Sequence, residues 1–266
     1  MSIDEWHLDS SSNQPMQAML HGTCGDTYRL KRTSTMEEMM SIEPLSDGKI
    51  IDSWKHNALP WVNAVRGAEI ESRRLVTDRA ILDAILACQP HTALDLGCGE
   101  GWLALALLQS GIKVTAVDVV PALVLAAQQA GVIDCRVLSY EEIAAGQLEL
   151  RADAVICNFS LLGKESVEGL LRSIPSLLQP NGTLLIQTMH PVVSCGDLPY
   201  VDGWRTGSWA GFNETFSDAP PWYFRTLHAW FELFSASGLT LSGLHEPLDP
   251  RTGKPASIIF LAQARG

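Results

Sequence analysis

Long apolar runs, an excess of basic residues and paired cysteine spacings are all missing from this sequence of 266 residues. A bilayer-crossing helix needs roughly 18 or more consecutive apolar residues, and an N-terminal secretory signal places basic residues before an apolar stretch. Neither pattern is present, so the expectation is a cytoplasmic protein with no membrane partner. Lysine and arginine total 19 against 30 aspartate and glutamate, a formal net charge of -11. Nucleic-acid binders present a basic face to the phosphates, and the one basic cluster here, Arg66, Arg73, Arg74 and Arg79, sits among acids. Nucleic acid is therefore not the expected partner, and a small molecule is. The six cysteines form no Cys-x-x-Cys pair, and no histidine stands beside one at a zinc-like spacing. They read as reduced thiols, with no metal site expected.

What is present is a glycine-rich turn after a buried strand. Ala93-Leu94-Asp95-Leu96 runs into Gly97-Cys98-Gly99-Glu100-Gly101, and Leu103–Leu108 follows with helical character. The glycines permit positive φ and close approach of a ligand to the backbone, and the helix directs its first amides at that ligand. A second apolar strand closes on Asp118. A dinucleotide loop of the form Gly-x-Gly-x-x-Gly would place its third glycine at position 102, which is Trp102 here. Asp95 beside the loop also suits a ligand carrying ammonium and sulfonium groups better than one carrying two phosphates. Together Asp95 and Asp118 point to S-adenosylmethionine, one carboxylate meeting its amino-acid end and the other its ribose hydroxyls.

The rest of the chain predicts one α/β domain. Residues 1–40 show no sustained period and are expected to be disordered or loosely attached, as part of an N-terminal extension taken to residue 50. Met40 opens a stretch that would itself serve as a start, and whether the preceding segment matters stays open. Cap helices fall in 51–90, one from Ile51 to Ile70 and another from Thr77 to Ala87. Strands are predicted at Thr92–Leu96, Lys113–Asp118, Cys135–Leu138, Ala154–Asn158 and Thr183–Thr188, with helices at 101–110, 121–130, 141–145 and 164–178. Pro180-Asn181-Gly182 marks a turn before the fifth strand. This alternation implies a parallel sheet covered on both faces. A helix from Trp222 to Ser237 then precedes strands Thr240–His245 and Ser257–Ala262, whose short connection implies an antiparallel hairpin. The fold class is thus a Rossmann-like doubly wound sheet of seven strands, mostly parallel, with helices on both faces and a reversed C-terminal hairpin.

On the glycine motif, the acid after the second strand and the reversed hairpin, the chain resembles the class I S-adenosylmethionine-dependent methyltransferases from about Asp52 onward. The resemblance implies cofactor contacts at Asp95, Gly97, Cys98, Gly99 and Gly101, at Asp118 and Val119, and beside the adenine at Ser139, Tyr140 and Glu141. It implies that Asn158 and Phe159 lie near the transferable methyl and that Arg73 or Arg74, of which Arg73 is the candidate, holds the cofactor carboxylate. Solvated helix charges are the alternative for both arginines. Phe159-Ser160-Leu161 stands where adenine amino methyltransferases have Pro-Pro and an aromatic, which disfavours nucleobase amino methylation.

Ligands of open α/β sheets lie beyond the carboxyl ends of the strands at the switch point, which groups Asp95, Asp118, Tyr140, Asn158 and His190 around one crevice. His190, just past the fifth strand, is the candidate general base, imidazole being suited to proton exchange near neutral pH; a histidine that only bonds a loop is the equal alternative. Residues 190–225 form an aromatic-rich insert, a lid or binding loop by its length. Trp204, Arg205, Tyr223 and Arg225 of the insert and His228 just beyond it are the candidate acceptor contacts, with Arg225 and His228 three apart on one helix face; core packing is the alternative for most of the rings. The expected activity is methyl transfer to an oxygen, or nitrogen, of a small organic acceptor by a monomer or homodimer. Two other readings stand beside it: a non-catalytic cofactor-binding or partner subunit with the same fold, and a nicotinamide-dependent oxidoreductase.

Overall fold

The computed structural model describes residues 45–266; the expectation for residues 1–40 lies outside them. Helix α1 (Asp47–Arg66) and a π-helical turn (Arg73–Thr77) lead into α2 (Asp78–Ala87). The alternating region follows as β1 (Thr92–Leu96), α3 (Trp102–Gln109), β2 (Lys113–Asp118), α4 (Pro121–Ala130), β3 (Cys135–Val137), α5 (Tyr140–Ala144), β4 (Ala152–Asn158), α6 (Glu165–Leu177) and β5 (Leu178–Thr188). The remainder comprises α7 (Pro191–Ser194), β6 (Gly203–Arg205), β7 (Trp222–Phe224), α8 (Leu227–Ala236), β8 (Leu239–His245) and β9 (Ile258–Ala264).

The sheet order is β3-β2-β1-β4-β5-β9-β8. Strands β1 to β5 pair in parallel, while β9 runs antiparallel to both β5 and β8. The seven-stranded, mostly parallel sheet and its reversed hairpin are as the sequence predicts. From β1 the chain moves outward to β2 and β3, then returns to β4 on the other side of β1. That reversal opens a crevice beyond the carboxyl ends of β1 and β4.

Period-two alternation explains why both faces are covered. Leu94, Leu96, Val155, Cys157, Leu184 and Ile186 pack on one face against Val167, Leu170 and Ile174 of α6 and Trp230 and Phe234 of α8. Ala93, Ala116, Ala154, Ile156 and Leu185 pack on the other against Ile81 and Ile85 of α2, Leu103 and Leu107 of α3, and Val124 and Ala127 of α4. All of these side chains are buried. Truncating one such leucine to alanine costs about 2–5 kcal/mol, so the sheet is a rigid floor for what stands at its edge.

Three local expectations need correction. The first helix starts earlier, at Asp47, because Ser46 is an N-cap and Asp47 an acidic first-turn residue; it ends at Arg66, with Gly67 as its C-cap. The turn at Pro180-Asn181-Gly182 lies inside β5 as paired, since Leu178 already pairs with Ala152 ahead of a bulge, with Asn181 at φ 66°. The helix expected from Trp222 does not begin there. Trp222-Tyr223-Phe224 are strong strand formers and pair with β6, while Thr226 caps α8 by accepting from the Ala229 amide at 3.1 Å. Arg225 therefore precedes the helix, and Arg225 and His228 do not share a helix face.

Candidate active site

The glycine turn is held from both sides. Gly97 and Cys98 donate their amides to the Val117 carbonyl at 2.8 and 3.0 Å. Gly97 has φ 76°, and a Cβ there would stand 2.4 Å from the Ser160 Cβ; Gly101 has φ 84°, and a Cβ there would meet the Ala127 Cβ at 2.7 Å. Side chains at these two positions would push the loop off β4 and α4. Ser160 donates its hydroxyl to the Leu96 carbonyl at 2.7 Å. The Tyr140 hydroxyl reaches the Leu96 and Ser160 carbonyls at 3.3 and 3.4 Å. Cys98 packs its thiol 3.7 Å from that of Cys135.

Asp118, at the end of β2, spends each oxygen on a backbone amide: Oδ2 accepts from Gly99 and Oδ1 from Val120, both at 2.9 Å. Burial raises its pKa, and the amides of Val120, Gly99 and Val119 oppose the rise. Asp95 is only 1% exposed, and its Oδ2 has no hydrogen-bond partner. Burial, reinforced by the charges of Asp118 and Glu100, pushes its pKa up to about 7. Glu100, 3% exposed, accepts from the Trp61 indole at 2.8 Å through Oε2 and leaves Oε1 without a partner. Its pKa is raised by burial, with the Arg73 charge the leading opposing influence.

Arg73 comes from the π-helical turn between α1 and α2. Its Nε donates to Asp78 at 3.0 Å, and its guanidinium lies 4.8 Å from the Trp102 ring and 5.8 Å from Trp61. Nη2 is buried without a partner. Arg73, Asp95 and Glu100, each with a buried hydrogen-bonding atom that has no partner, are among the residues lining one cavity of about 470 Å³.

Val119, Ser139, Tyr140, Glu141, Asn158 and Phe159 also line that cavity. Ser139 starts α5 through a capping box with Glu142. Asn158 accepts from the Gln187 side chain at 2.7 Å. Phe159 takes φ 53°, a conformation that costs a non-glycine residue about 1–3 kcal/mol and collects at functional sites. The apolar part of the lining comes from Ile50, Ile51 and Trp54 of α1, Leu162 and Met189 of the loops after β4 and β5, and Trp209, Phe212, Pro220 and Trp222 of the insert. The rings make a continuous roof, with Trp54 5.0 Å from Trp61 and 5.8 Å from Trp209, and Trp209 5.2 Å from Phe212.

The structure does not bring the other expected residues to the cavity. His190 is 6% exposed and its Nε2 lies 2.7 Å from Glu246 Oε1; the neighbouring Thr188 and Met189 reach the cavity wall in its place. Trp204 packs edge-on against Tyr223 at 5.6 Å. Arg205 sits 4.2 Å over Phe224 and donates to the Pro199 carbonyl at 2.8 Å. Arg225, 5% exposed, donates to the carbonyls of Gly163 and Lys164 at 2.9 and 3.1 Å. It stacks on Tyr223 and Trp230, and burial lowers its pKa. Tyr223 and Arg225 border only a separate pocket of about 20 Å³. His228 is exposed on α8. The insert does wall the cavity, through different aromatic residues. Glu100 and Trp61 are polar partners that the sequence alone does not single out; an acid inside the glycine loop is the one signal it offers for them.

Residues 71–242 match a protein-family model described as "Methyltransferase domain". A ubiquinone biosynthesis O-methyltransferase of Xanthomonas campestris pv. campestris (strain B100) is similar at 38% identity over 102 residues, covering 36% of this chain; the chain spans 42% of that relative's length. An S-adenosylmethionine-dependent methyltransferase of Mesorhizobium loti superposes with a TM-score of 0.52 at 19% identity, covering 68% of this chain and 95% of that one. One from Clostridium acetobutylicum ATCC 824 gives 0.57 at 12% identity, over 77% and 97%. At such identities these two likenesses speak to the fold.

Proposed function

The chain belongs to the class I S-adenosylmethionine-dependent methyltransferase family, and from that premise we propose that it methylates an oxygen nucleophile of a small, largely apolar organic acceptor. The observation that carries this reading is the cavity at the switch point, lined by Arg73, Asp95, Glu100 and Asp118 together with a set of aromatic rings.

The charged set fits the cofactor. The free Nη2 of Arg73 matches a carboxylate, the free oxygens of Asp95 and Glu100 match an ammonium, and Asp118 at the end of β2 retains lone pairs for vicinal hydroxyls beyond its two backbone bonds. When bound, S-adenosylmethionine supplies an electrophilic methyl group on a sulfonium. The chain's own residues then have three tasks. Arg73, Asp95 and Asp118 fix the ligand's two ends, the Gly97–Gly101 turn lets the backbone approach it, and the roof of α1 and the insert excludes water and aligns the acceptor. Alignment alone offers effective molarities of about 10⁵ to 10⁸ M. No histidine stands in the cavity wall formed by the described residues, so the proton of an acceptor hydroxyl passes to a wall carboxylate or to water.

The apolar roof supports an acceptor that is flat and uncharged where it is held. Oxygen is favoured over nitrogen by the O-methyltransferase relative. Calorimetric titration with S-adenosylmethionine, followed by a screen of phenols, catechols and aromatic amines for S-adenosylhomocysteine release, tests the reading. Cofactor binding with turnover of hydroxylated rings is expected; no cofactor binding, or turnover of amines alone, would overturn it.

A further inference from the structure

We propose that Gln187 is a positioning residue that fixes the Asn158 amide as a hydrogen-bond donor to the acceptor oxygen, selecting oxygen over nitrogen nucleophiles; this rests on the oxygen-acceptor reading above. Asn158 ends β4, Gln187 lies beside it in register on β5, and the Phe159 amide donates to the Gln187 carbonyl at 2.8 Å. Paired positions on neighbouring strands put their side chains on one face of a sheet. Gln187 is buried. Its Nε2 donates to the Thr77 carbonyl at 3.1 Å and to Asn158 Oδ1 at 2.7 Å, and its Oε1 accepts from the buried Ser257 hydroxyl at 3.0 Å.

The Thr77 carbonyl sets the direction of this whole chain of bonds, because a carbonyl can only accept. Gln187 must turn its nitrogen to it, and the second hydrogen on that nitrogen then needs an acceptor, which the oxygen of Asn158 supplies. Asn158 Nδ2 is left unspent. No described residue accepts from it, and it is not one of the fully buried unpartnered atoms, so it keeps accessible surface. Asn158 lines the cavity, and its amide hydrogens are therefore on offer there.

A fixed donor at this place suits one kind of nucleophile. A hydroxyl oxygen has two lone pairs, so one accepts from Asn158 while the other attacks the methyl carbon, the bond pair departing with the sulfur and the hydroxyl proton leaving to a wall carboxylate or to water. An amine nitrogen has a single lone pair, and a hydrogen bond to it occupies the pair that must attack. The donor also stabilises the negative charge an oxygen gains on losing its proton, and it is preorganised because Gln187 is itself held at both ends.

The test uses two chromophoric probes, 4-nitrophenol and 4-nitroaniline, titrated in the presence of S-adenosylhomocysteine into wild type, Asn158→Leu and Gln187→Glu. Absorbance reads the affinity of each probe and the pH at which bound nitrophenol ionises. Asn158→Leu, which removes the donor without adding charge, is expected to raise that pH by at least about one unit, a tenfold loss of preference for the phenolate, as befits one hydrogen bond to a charged group. Its affinity for 4-nitroaniline is expected to stay within about twofold of wild type. In Gln187→Glu the buried neutral carboxyl has one hydrogen, which the Thr77 carbonyl takes, so Asn158 turns its nitrogen inward and shows its oxygen to the cavity; the same rise is expected with Asn158 still in place. A rise in Asn158→Leu without one in Gln187→Glu would overturn the positioning role, and no rise in Asn158→Leu would overturn the donor itself. Equal weakening of both probes would show a distorted cavity and also overturn it. Should Gln187→Glu fail to fold in a thermal melt, Gln187→Met, which frees the amide to turn, is expected to give a smaller rise of the same sign, and none would overturn the assignment. Wild type that binds neither probe would strike the aromatic-acceptor reading and this assignment with it, whereas wild type that binds both with no split in the variants would remove only the roles of Asn158 and Gln187.

Discussion

The Asn57 side chain closes a two-bond clamp on Ser217: Nδ2 donates to the Ser217 carbonyl at 2.7 Å and Oδ1 accepts from the Ser217 amide at 3.0 Å. Asn57 is fully buried in α1, and Ser217 lies in the insert between β6 and β7. Helix and insert are thereby one roof, reinforced by the Trp54–Trp209 contact.

Asn57→Ala should leave the Ser217 amide without its partner and the Ser217 carbonyl with the Trp209 indole, at 3.0 Å, as its remaining donor, at a cost of about 1–2 kcal/mol. Thermal melting should fall, and hydrogen exchange in residues 209–218 should rise further than in the sheet strands. Uniform acceleration across the fold would show that the clamp is not a local tie.

Asp118→Ala should weaken S-adenosylmethionine by about 1.5–3 kcal/mol, because a charge-assisted partner of the ribose is lost together with the brace on Gly99. Titration calorimetry reads this directly. Unchanged affinity would remove Asp118 from the ribose site.

Three buried carboxyls with raised pKa values give the unliganded protein an unusual pH response. Asp95 ionises near 3.8 when unfolded and at about 7 when folded, so between these limits the folded state binds more protons. Stability from this group is full below about pH 4 and is lost as pH rises to about 7, on the order of 4 kcal/mol. Glu100 and Asp118 shift in the same direction. The carboxylates with lowered pKa values, Asp134, Asp153 and Asp249, lose their contribution only below about pH 4 and do not mask the trend. Melting temperature should fall from pH 5.5 to pH 8, and Asp95→Asn should flatten the slope. Cofactor affinity should move oppositely, rising through pH 7 as Asp95 ionises, with a binding enthalpy that depends on the buffer because a proton is released. A flat melting profile would contradict the burial-driven shift.

The sheet and the glycine turn were legible because their signals are local: alternating apolar residues mark both faces of β1 and β4, and Gly97 and Gly101 stand where their neighbours leave no room for a Cβ. The run Trp222-Tyr223-Phe224-Arg225 misled because four such residues satisfy a helical and a strand period equally; the cap at Thr226 was the signal that separated them. Arg225 looked like a substrate contact because its partners, the carbonyls of Gly163 and Lys164, are far off in sequence. For Glu100 the residue was in plain view, but its burial depends on Trp61 arriving from α1. Contacts between distant segments are what a single sequence withholds, and the acceptor side of the site is made mostly of them.

His190 is tied by one of these distant contacts, and the tie changes what its removal should do. Its Nε2 is engaged by Glu246 from the segment after β8, and His190 is not among the described residues that line the cavity. Removing a general base costs about 10²–10⁴ in turnover. Removing a buried side chain that ties two loops costs about 1–2 kcal/mol of stability, or about 2–8 °C in melting temperature for a domain of this size. His190→Ala should behave as the loop tie, with a lowered melting temperature, unchanged cofactor affinity and turnover within about threefold of wild type. Glu246→Gln should lie between wild type and His190→Ala in melting temperature, since an amide oxygen still accepts from the ring. A hundredfold loss of turnover in His190→Ala without a change in melting would return the imidazole to the chemistry and require the loop after β5 to turn inward when the acceptor binds.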